Sequence, residues 1–253
     1  MSTLERTVAL VTGASSGIGD ATARRLAAEG AAVALVARRG DRLEALAKEL
    51  NGAGGRTLVI PADITDEEQA RAAVEQTVAE LGRLDTLVNN AGMMLLGPVE
   101  GAPIDEWRRM VEINVLGLLY CSHAALPHLL AAAADGPRRV ADLVNVSSVA
   151  GRVARNGSGV YNLTKHGVGA LSESLRQEVT SRHVRVSLVE PGAVETELVG
   201  HNRPEIQESI RGRFAQIERL QADDIADAIA YIVTRPRHVA INELLVRPTE
   251  QEG

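Results

Sequence analysis

Short runs of Val, Leu, Ile and Ala recur along this chain, and almost every residue within each run is apolar. They fall at 7–12, 32–37, 57–60, 85–88, 140–146, 184–189 and 242–246. A strand with one solvated face alternates apolar and polar side chains, so a run without alternation needs cover on both faces. Helical patterns separate the runs, at 17–29, 41–51, 66–81, 105–134, 159–182 and 222–233. Parallel strands require a crossover between them, usually a helix, so regular β–α alternation predicts a parallel sheet with helices on both sides. The expected fold class is α/β, a doubly wound Rossmann-type sheet of about seven strands. A chain of 253 residues is long for an average domain but suits one such sheet, and 1–253 reads as a single domain. No repeat, linker or low-complexity tract divides it, since Ala131 to Ala134 followed by Asp135-Gly136-Pro137 reads as a helix end and a turn.

Composition narrows the function classes. With one Trp, three Tyr and one Phe, the core has to be built from Ala, Val, Leu and Ile. A net charge of −6 argues against nucleic acid or an anionic membrane as the main partner. Cys121 is the only cysteine, so no intrachain disulfide forms and a reducing compartment fits. The six histidines include no pair at i, i+4 and no Cys partner, so no metal site is expected. Val8-Ala9-Leu10-Val11 already reads as a strand, which leaves no room for a signal peptide, and no run reaches the ~20 apolar residues of a membrane span. The expectation is a cytoplasmic protein.

The loop after the first strand, Thr12-Gly13-Ala14-Ser15-Ser16-Gly17-Ile18-Gly19, opens an Ala-rich helix. Glycines there allow a tight turn and close approach of backbone to a pyrophosphate held at the positive helix end. A plain turn uses glycines too; the position at the first strand–helix turn favours nucleotide binding. Dinucleotide type is read at the end of the second strand, where an acid would accept from a ribose 2′-hydroxyl. Here Val36-Ala37-Arg38-Arg39 offers guanidinium groups instead, which pair with a 2′-phosphate, so NADP(H) is predicted over NAD(H). Two solvated loop arginines are the alternative.

Tyr161 and Lys165 stand one helical turn apart, with Ser147-Ser148 shortly upstream. A phenol ionises near pH ~10 and serves as an acid–base group at neutral pH only if a cation stabilises the phenolate. A unit charge at ~4 Å is worth ~4 kcal/mol at an effective dielectric of ~20, about three pKa units, but only ~1 kcal/mol in water. Such a pair needs a partly dry pocket. The polar stretch 193–220, with Gly200, Pro204 and Gly212, reads either as a substrate lid at the sheet's carboxyl edge or as a surface excursion.

Taken together, these segments resemble the short-chain dehydrogenase/reductase superfamily over essentially the whole chain. The pieces are Thr12-Gly13 to Gly19, Ala62-Asp63-Ile64, Asp85 to Gly92, Ile113-Asn114-Val115, Val146-Ser147-Ser148, Tyr161 to Lys165, and Pro191-Gly192. The resemblance implies that Ser148 hydrogen-bonds the substrate oxygen, Tyr161 protonates the developing alkoxide, and Lys165 lowers the phenol's pKa and binds the nicotinamide ribose. It implies that Asn114 holds a water in the proton relay. Cofactor contacts are implied at Gly13, Ser15, Ser16, Gly17, Ile18 and Gly19. Further contacts are implied at Asp63 and Ile64 (adenine), at Asn90, Ala91 and Gly92, and at Pro191, Gly192, Val194 and Thr196. Asn89 is expected to bridge strands.

Within the superfamily the sequence is similar to the clavulanic-acid-dehydrogenase-like aldehyde reductases, through Met94 to Val99, Ala150 to Asn156, Leu220 to Ala226 and Val246-Arg247-Pro248-Thr249. The expected activity is NADPH-dependent reduction of an aldehyde or ketone. NADP-dependent oxidation of a small 3-hydroxy acid or secondary alcohol is the rival, and a non-catalytic dinucleotide sensor the third reading. The resemblance implies a homotetramer or homodimer. Met93 and Met94 line the substrate pocket or fill core. Arg152 or Arg155 meets a substrate carboxylate, or both are solvated or at a subunit contact. His166 reads as packing or surface.

Overall fold

The computed structural model describes residues 3–252. Its strands are β1 (Val8–Thr12), β2 (Ala32–Ala37), β3 (Arg56–Pro61), β4 (Thr86–Asn89), β5 (Ala141–Val146), β6 (Val184–Pro191) and β7 (Glu243–Val246). All pair in parallel, in the order β3-β2-β1-β4-β5-β6-β7. The chain winds outward one way from β1 to β3, crosses back to β4, then winds the other way to β7. The carboxyl ends of β1 and β4 therefore flank the switch point, where open α/β sheets leave a crevice.

The absence of alternation in the sequence has a direct structural cause. In β1, Val8 and Leu10 point into one core while Ala9 and Val11 point into another on the opposite face. Helices α1 (Gly17–Ala28) and α2 (Gly40–Gly52) cover the second face through Ala23, Leu26, Leu43 and Leu46. On the first face lies α3 (Glu67–Leu81), through Ala70, Ala73 and Val74. The edge strands depart from the pattern: β7 is alternately exposed and half-buried, and Leu245 faces solvent, because no further strand pairs with it among the described residues.

The helical pattern at 105–134 is not one helix. It divides into α4 (Ile104–Val111), a π-helical turn at Glu112–Gly117, and α5 (Leu118–Asp135). A π-turn carries no residue period of its own, so hydrophobic patterning cannot show it. Gly117 allows the turn to press against the end of the β3 loop, since a Cβ there would lie 3.0 Å from the side chain and carbonyl of Ile64. The stretch Ile104–Asp135 is also long and apolar enough to cross a membrane by length and composition, contrary to the expectation that no run is. Its apolar residues have another use here: Cys121, Ala125, Leu129, Ala132 and Ala133 are buried in the first core.

Next come α6 (Gly159–Val179), α7 (Pro204–Arg213) and α8 (Ala222–Val233). Helix α7 lies inside the stretch expected to be a polar connection, and it begins with Pro204, whose missing N–H is harmless at a helix start. A 3₁₀ turn at Glu197–His201 precedes it.

The amino edge of the sheet is stitched by buried carboxylates. Asp85 accepts from Val8 N at 2.8 Å and from Arg83 at 2.7 and 2.8 Å. Asp142, in the buried strand β5, accepts from Arg185 of β6 at 2.7 and 2.9 Å and from Arg138 at 3.2 Å. Arg185 carries on to the carbonyls of Val233 and Val239, which ties α8 and the following loop to the sheet. Asp142→Ala would strand two guanidinium groups in a dry interior. We expect a loss of about 3–5 kcal/mol in stability, read from the urea midpoint.

Candidate active site

A cavity of about 590 Å³ opens at the carboxyl edge over the switch point. One end is the loop between β1 and α1. Gly13 has φ +69°, and a Cβ there would lie 2.8 Å from the Asn90 amide and 2.9 Å from Ala91 Cα. Gly19 sits beneath, where a Cβ would meet Gly13 O at 2.2 Å. The loop is so tight because a second loop locks onto it. Thr12 Oγ1 accepts from Asn90 N and Ala91 N at 3.0 and 3.1 Å, and Asn90 Nδ2 donates to Thr12 O at 3.0 Å. Backbone can therefore approach a ligand here without a side chain intervening, as a pyrophosphate cradle requires.

Gly13, Ser15, Ser16, Gly17 and Ile18 line this end, and Arg38, Arg39, Asp63 and Ile64 line the flank beside it. Asn90, Ala91 and Gly92 form the floor; Pro191, Gly192, Val194 and Thr196 form the far wall with Ser148, Tyr161 and Lys165. Two expected residues do not line the cavity. Gly19 only lets the loop close. Asn114, in the π-turn, is buried behind Met93: its Oδ1 accepts from Met93 N at 2.8 Å, and its Nδ2 donates to Met93 O at 2.8 Å and Thr164 Oγ1 at 3.2 Å. Its amide is thus spent on holding the loop that carries Met93 against the helix that carries Tyr161. Asn89 does bridge strands, donating to Asn145 Oδ1 of β5 and to Ser122 Oγ, each at 2.9 Å.

At the other end, helix α6 delivers Tyr161 and Lys165 from one face, and both are buried. Ser148 follows β5; its Oγ accepts from Ala150 N at 3.1 Å and donates to Pro191 O at 3.5 Å. Ser147 is structural, donating to Lys165 O at 3.1 Å. Lys165 Nζ donates to Val146 O at 2.9 Å and lies 5.9 Å from the centroid of the Tyr161 ring.

Burial dominates the electrostatics of the pair. Burial pushes the Tyr161 phenol up to about 12, with the nearby Ser148 hydroxyl pulling the other way, and pushes Lys165 down to about 8. Desolvation opposes charge on both groups, and Nζ is turned to the Val146 carbonyl. Tyr161 is consequently held protonated, as a proton donor, through the physiological range.

Other side chains separate clearly. Arg155 lines the cavity, whereas Arg152 turns away to Glu190, at 2.5 Å, and to Glu243. Met93 and Met94 do both things proposed of them, lining the cavity and packing on Leu95, Met110 and Tyr161. His166 bonds the Asn162 carbonyl of its own helix. Cys121 is buried and its thiol pushed up to about 12, far from any reactive form. Sequence reasoning missed Arg42, Glu197 and Asn202, which have no motif; Glu197 meets Arg42 across 155 residues of chain.

A doubly wound parallel sheet with a glycine cradle at its switch point and a buried Ser–Tyr–Lys set beside it defines a dinucleotide-dependent oxidoreductase architecture. The comparisons agree. The profile of the short chain dehydrogenase family matches residues 7–207, and the chain belongs to that family. It is 34% identical over 248 residues to an uncharacterised oxidoreductase of Staphylococcus aureus, covering 98% of this chain and all of that one. It is 38% identical over 244 residues to glycine betaine reductase of Emericella nidulans, covering 96% of this chain but only 19% of that much longer protein. Among solved structures, the closed form of a serine dehydrogenase complexed with NADP+ superposes with a TM-score of 0.86 at 31% identity, covering 98% of this chain and 97% of that one.

The buried ammonium has a thermodynamic signature. Its folded-state pKa lies below its ordinary value of 10.5, so the charged form is penalised fully below about 8 and the penalty fades as pH rises to about 10.5. Lys165→Met should therefore raise stability by about 1–3 kcal/mol at pH 6–7 and lose that advantage by about pH 10.5, as thermal melts across pH would read.

Proposed function

We propose that the protein is an NADPH-dependent carbonyl reductase that converts an aldehyde or ketone to an alcohol. The observation that carries this reading is that Ser148, buried Tyr161 and buried Lys165 line the same cavity as the glycine cradle. NADPH, when bound, supplies the hydride that arrives at the carbonyl carbon. The chain's own groups do the rest. Ser148 and Tyr161 each bring a hydroxyl to the cavity wall, and a carbonyl oxygen that accepts from both has its growing negative charge stabilised. Tyr161 then hands its proton to that oxygen, and the Lys165 ammonium favours the phenolate left behind. Asn114 acts by holding Met93 against Thr164, which fixes the floor beside Lys165. A relay through a water held at the backbone of Asn114, whose side-chain amide is engaged, and contact of Asp63 and Ile64 with adenine, are part of the same proposal.

The choice of NADPH is supported by the glycine cradle and by Arg38 and Arg39 at its flank, where no acid faces the cavity from the end of β2. It is also supported by the NADP+ bound to the serine dehydrogenase neighbour. A second reading, oxidation of a small hydroxy acid or secondary alcohol, is favoured by Arg155, which lines the cavity without a carboxylate partner among the described residues. The sensor reading is the weakest: a sensor has no use for the buried Tyr161 and Lys165, whose desolvation disfavours folding. The aldehyde-reductase subgroup, the segment 193–220 as a substrate lid, a cytoplasmic location and a homodimer or homotetramer complete the proposal. Exposed Ile104 on α4 and Leu163 on α6 support the assembly.

Tyr161→Phe is expected to cut NADPH-linked turnover of a panel of aldehydes and ketones by about 10²–10⁴-fold. It should leave NADPH affinity within about twofold by fluorescence titration; substantial residual turnover would remove Tyr161 as the acid. In the native enzyme, kcat/KM for reduction should fall as pH rises through about 8, where Lys165 loses its proton. In Lys165→Arg the fall should move to higher pH, because guanidinium stays charged.

A further inference from the structure

Glu197 opens the 3₁₀ turn that follows β6 and reaches across the mouth of the cleft. Its Oε2 accepts from Arg39 Nη1 at 2.9 Å and its Oε1 accepts from Arg42 Nη1 at 2.7 Å. Arg39 also donates from Nε to Ser15 Oγ at 3.1 Å and from Nη2 to Ser16 Oγ at 2.7 Å, so all three of its guanidinium nitrogens are engaged. Arg38, by contrast, has a side chain 70% exposed, and among the described residues its one ion-pair partner is the Asp63 carboxylate, at 3.9 Å. The two arginines at the end of β2 are therefore not equivalent, although they stand side by side in sequence.

Five residues further on, Asn202 fastens the same segment to the opposite lip. It is buried; its Nδ2 donates to Met94 O at 2.9 Å and its Oδ1 accepts from Leu96 N at 2.8 Å. Arg203 adds an ion pair to Glu106 at 3.2 Å. Residues 197–202 thus form a strap tied at both lips, by a buried amide at one end and by half-exposed ion pairs at the other. Exposed ion pairs are weak and exchange readily, whereas a saturated buried amide does not, so the strap releases at the Glu197 end.

A carboxylate between two guanidinium groups offers them the same kind of charged acceptor that a phosphate monoester would. Arg42 and Arg39 hold Glu197 ionised down to about pH 2, so it is an anion under all working conditions. We propose that Glu197 is a cofactor-discriminating residue: its carboxylate competes with the 2′-phosphate of the dinucleotide for Arg39 and Arg42. A phosphorylated dinucleotide has to take Arg39 from Glu197, which frees that end of the strap; one lacking the phosphate binds beneath a latched strap. Glu197 then narrows the preference for NADPH that the arginines create. This rests on the reading of Arg39 as a phosphate-binding group.

The test is Glu197→Gln, with NADPH and NADH dissociation constants measured by fluorescence titration at low ionic strength. NADPH should bind about three- to tenfold more tightly than to the native protein, with NADH changed by less than about twofold. In an Arg39→Ala background, the effect of Glu197→Gln on NADPH should shrink or vanish. Weaker NADPH binding by Glu197→Gln would overturn the proposal, since Glu197 would then be orienting Arg39 for the phosphate. An equal change for both dinucleotides, an absent change, or an undiminished effect without Arg39 would overturn it too. Arg39→Ala alone reads the underlying cofactor assignment: if it costs no NADPH affinity, that assignment fails, whereas a loss there combined with no response to Glu197→Gln sinks only the competition.

Discussion

Everything in this molecule depends on a sheet that must be covered on both faces. Because Val8 and Leu10 enter one core while Ala9 and Val11 enter the other, neither face of β1 can turn to water. Parallel pairing with helical crossovers satisfies that demand, and it has a geometric consequence. All seven strands end at the same edge, and where the winding reverses between β1 and β4 no crossover fills the gap. The cleft follows from how apolar strands are buried, before any polar residue is considered. The polar residues then differ at the two edges. Asp85 and Asp142 saturate the amino edge with buried ion pairs, leaving the carboxyl edge as the one with room for a ligand.

The same burial governs the chemistry proposed for the site. A tyrosine and a lysine on one helix face do little in water, because screening cuts their interaction to about 1 kcal/mol. Placed in the cavity wall, both are desolvated, and desolvation opposes charge on each. The phenol rises to about 12 and the ammonium falls to about 8. Charge on either is therefore poorly solvated, and any negative charge that develops beside them has few competitors for their hydrogen bonds. Burial thus leaves both groups leaning towards their neutral forms. The protonated phenol suits donation to an alkoxide, and the reverse reaction asks more of Lys165 than reduction does.

Strand positions and helix order were legible in the sequence because each rests on a local period that packing leaves intact. The Ser148, Tyr161 and Lys165 set was legible because it lies within a short span on adjoining elements. What escaped has no local period. The π-turn at Glu112–Gly117 arises from close approach to Ile64, a contact made through the fold. That Met93 fills the side-chain amide of Asn114 is likewise a contact made through the fold. Arg38 and Arg39 looked like twins, and nothing in their neighbourhood of sequence distinguishes them. Glu197, 158 residues beyond Arg39, makes the distinction.

That last point bears on how cofactor preference is read from sequence. A basic pair after the second strand is informative only if its charges are available, and availability is decided by whatever crosses the cleft from the other half of the sheet. Here the crossing segment is anchored by Asn202 on the Met94 lip and brings a carboxylate to the Arg39 lip. An arginine whose nitrogens are shared among two serines and a glutamate is positioned, but its charge is already partly answered. The electrostatic field felt by a ligand at that flank is then the sum over Arg38, Arg39, Arg42, Asp63 and Glu197, three positive groups against two negative. Counting the two arginines alone overstates the attraction, and the surplus of one positive charge is a weaker basis for selecting a phosphate than the β2 terminus taken by itself.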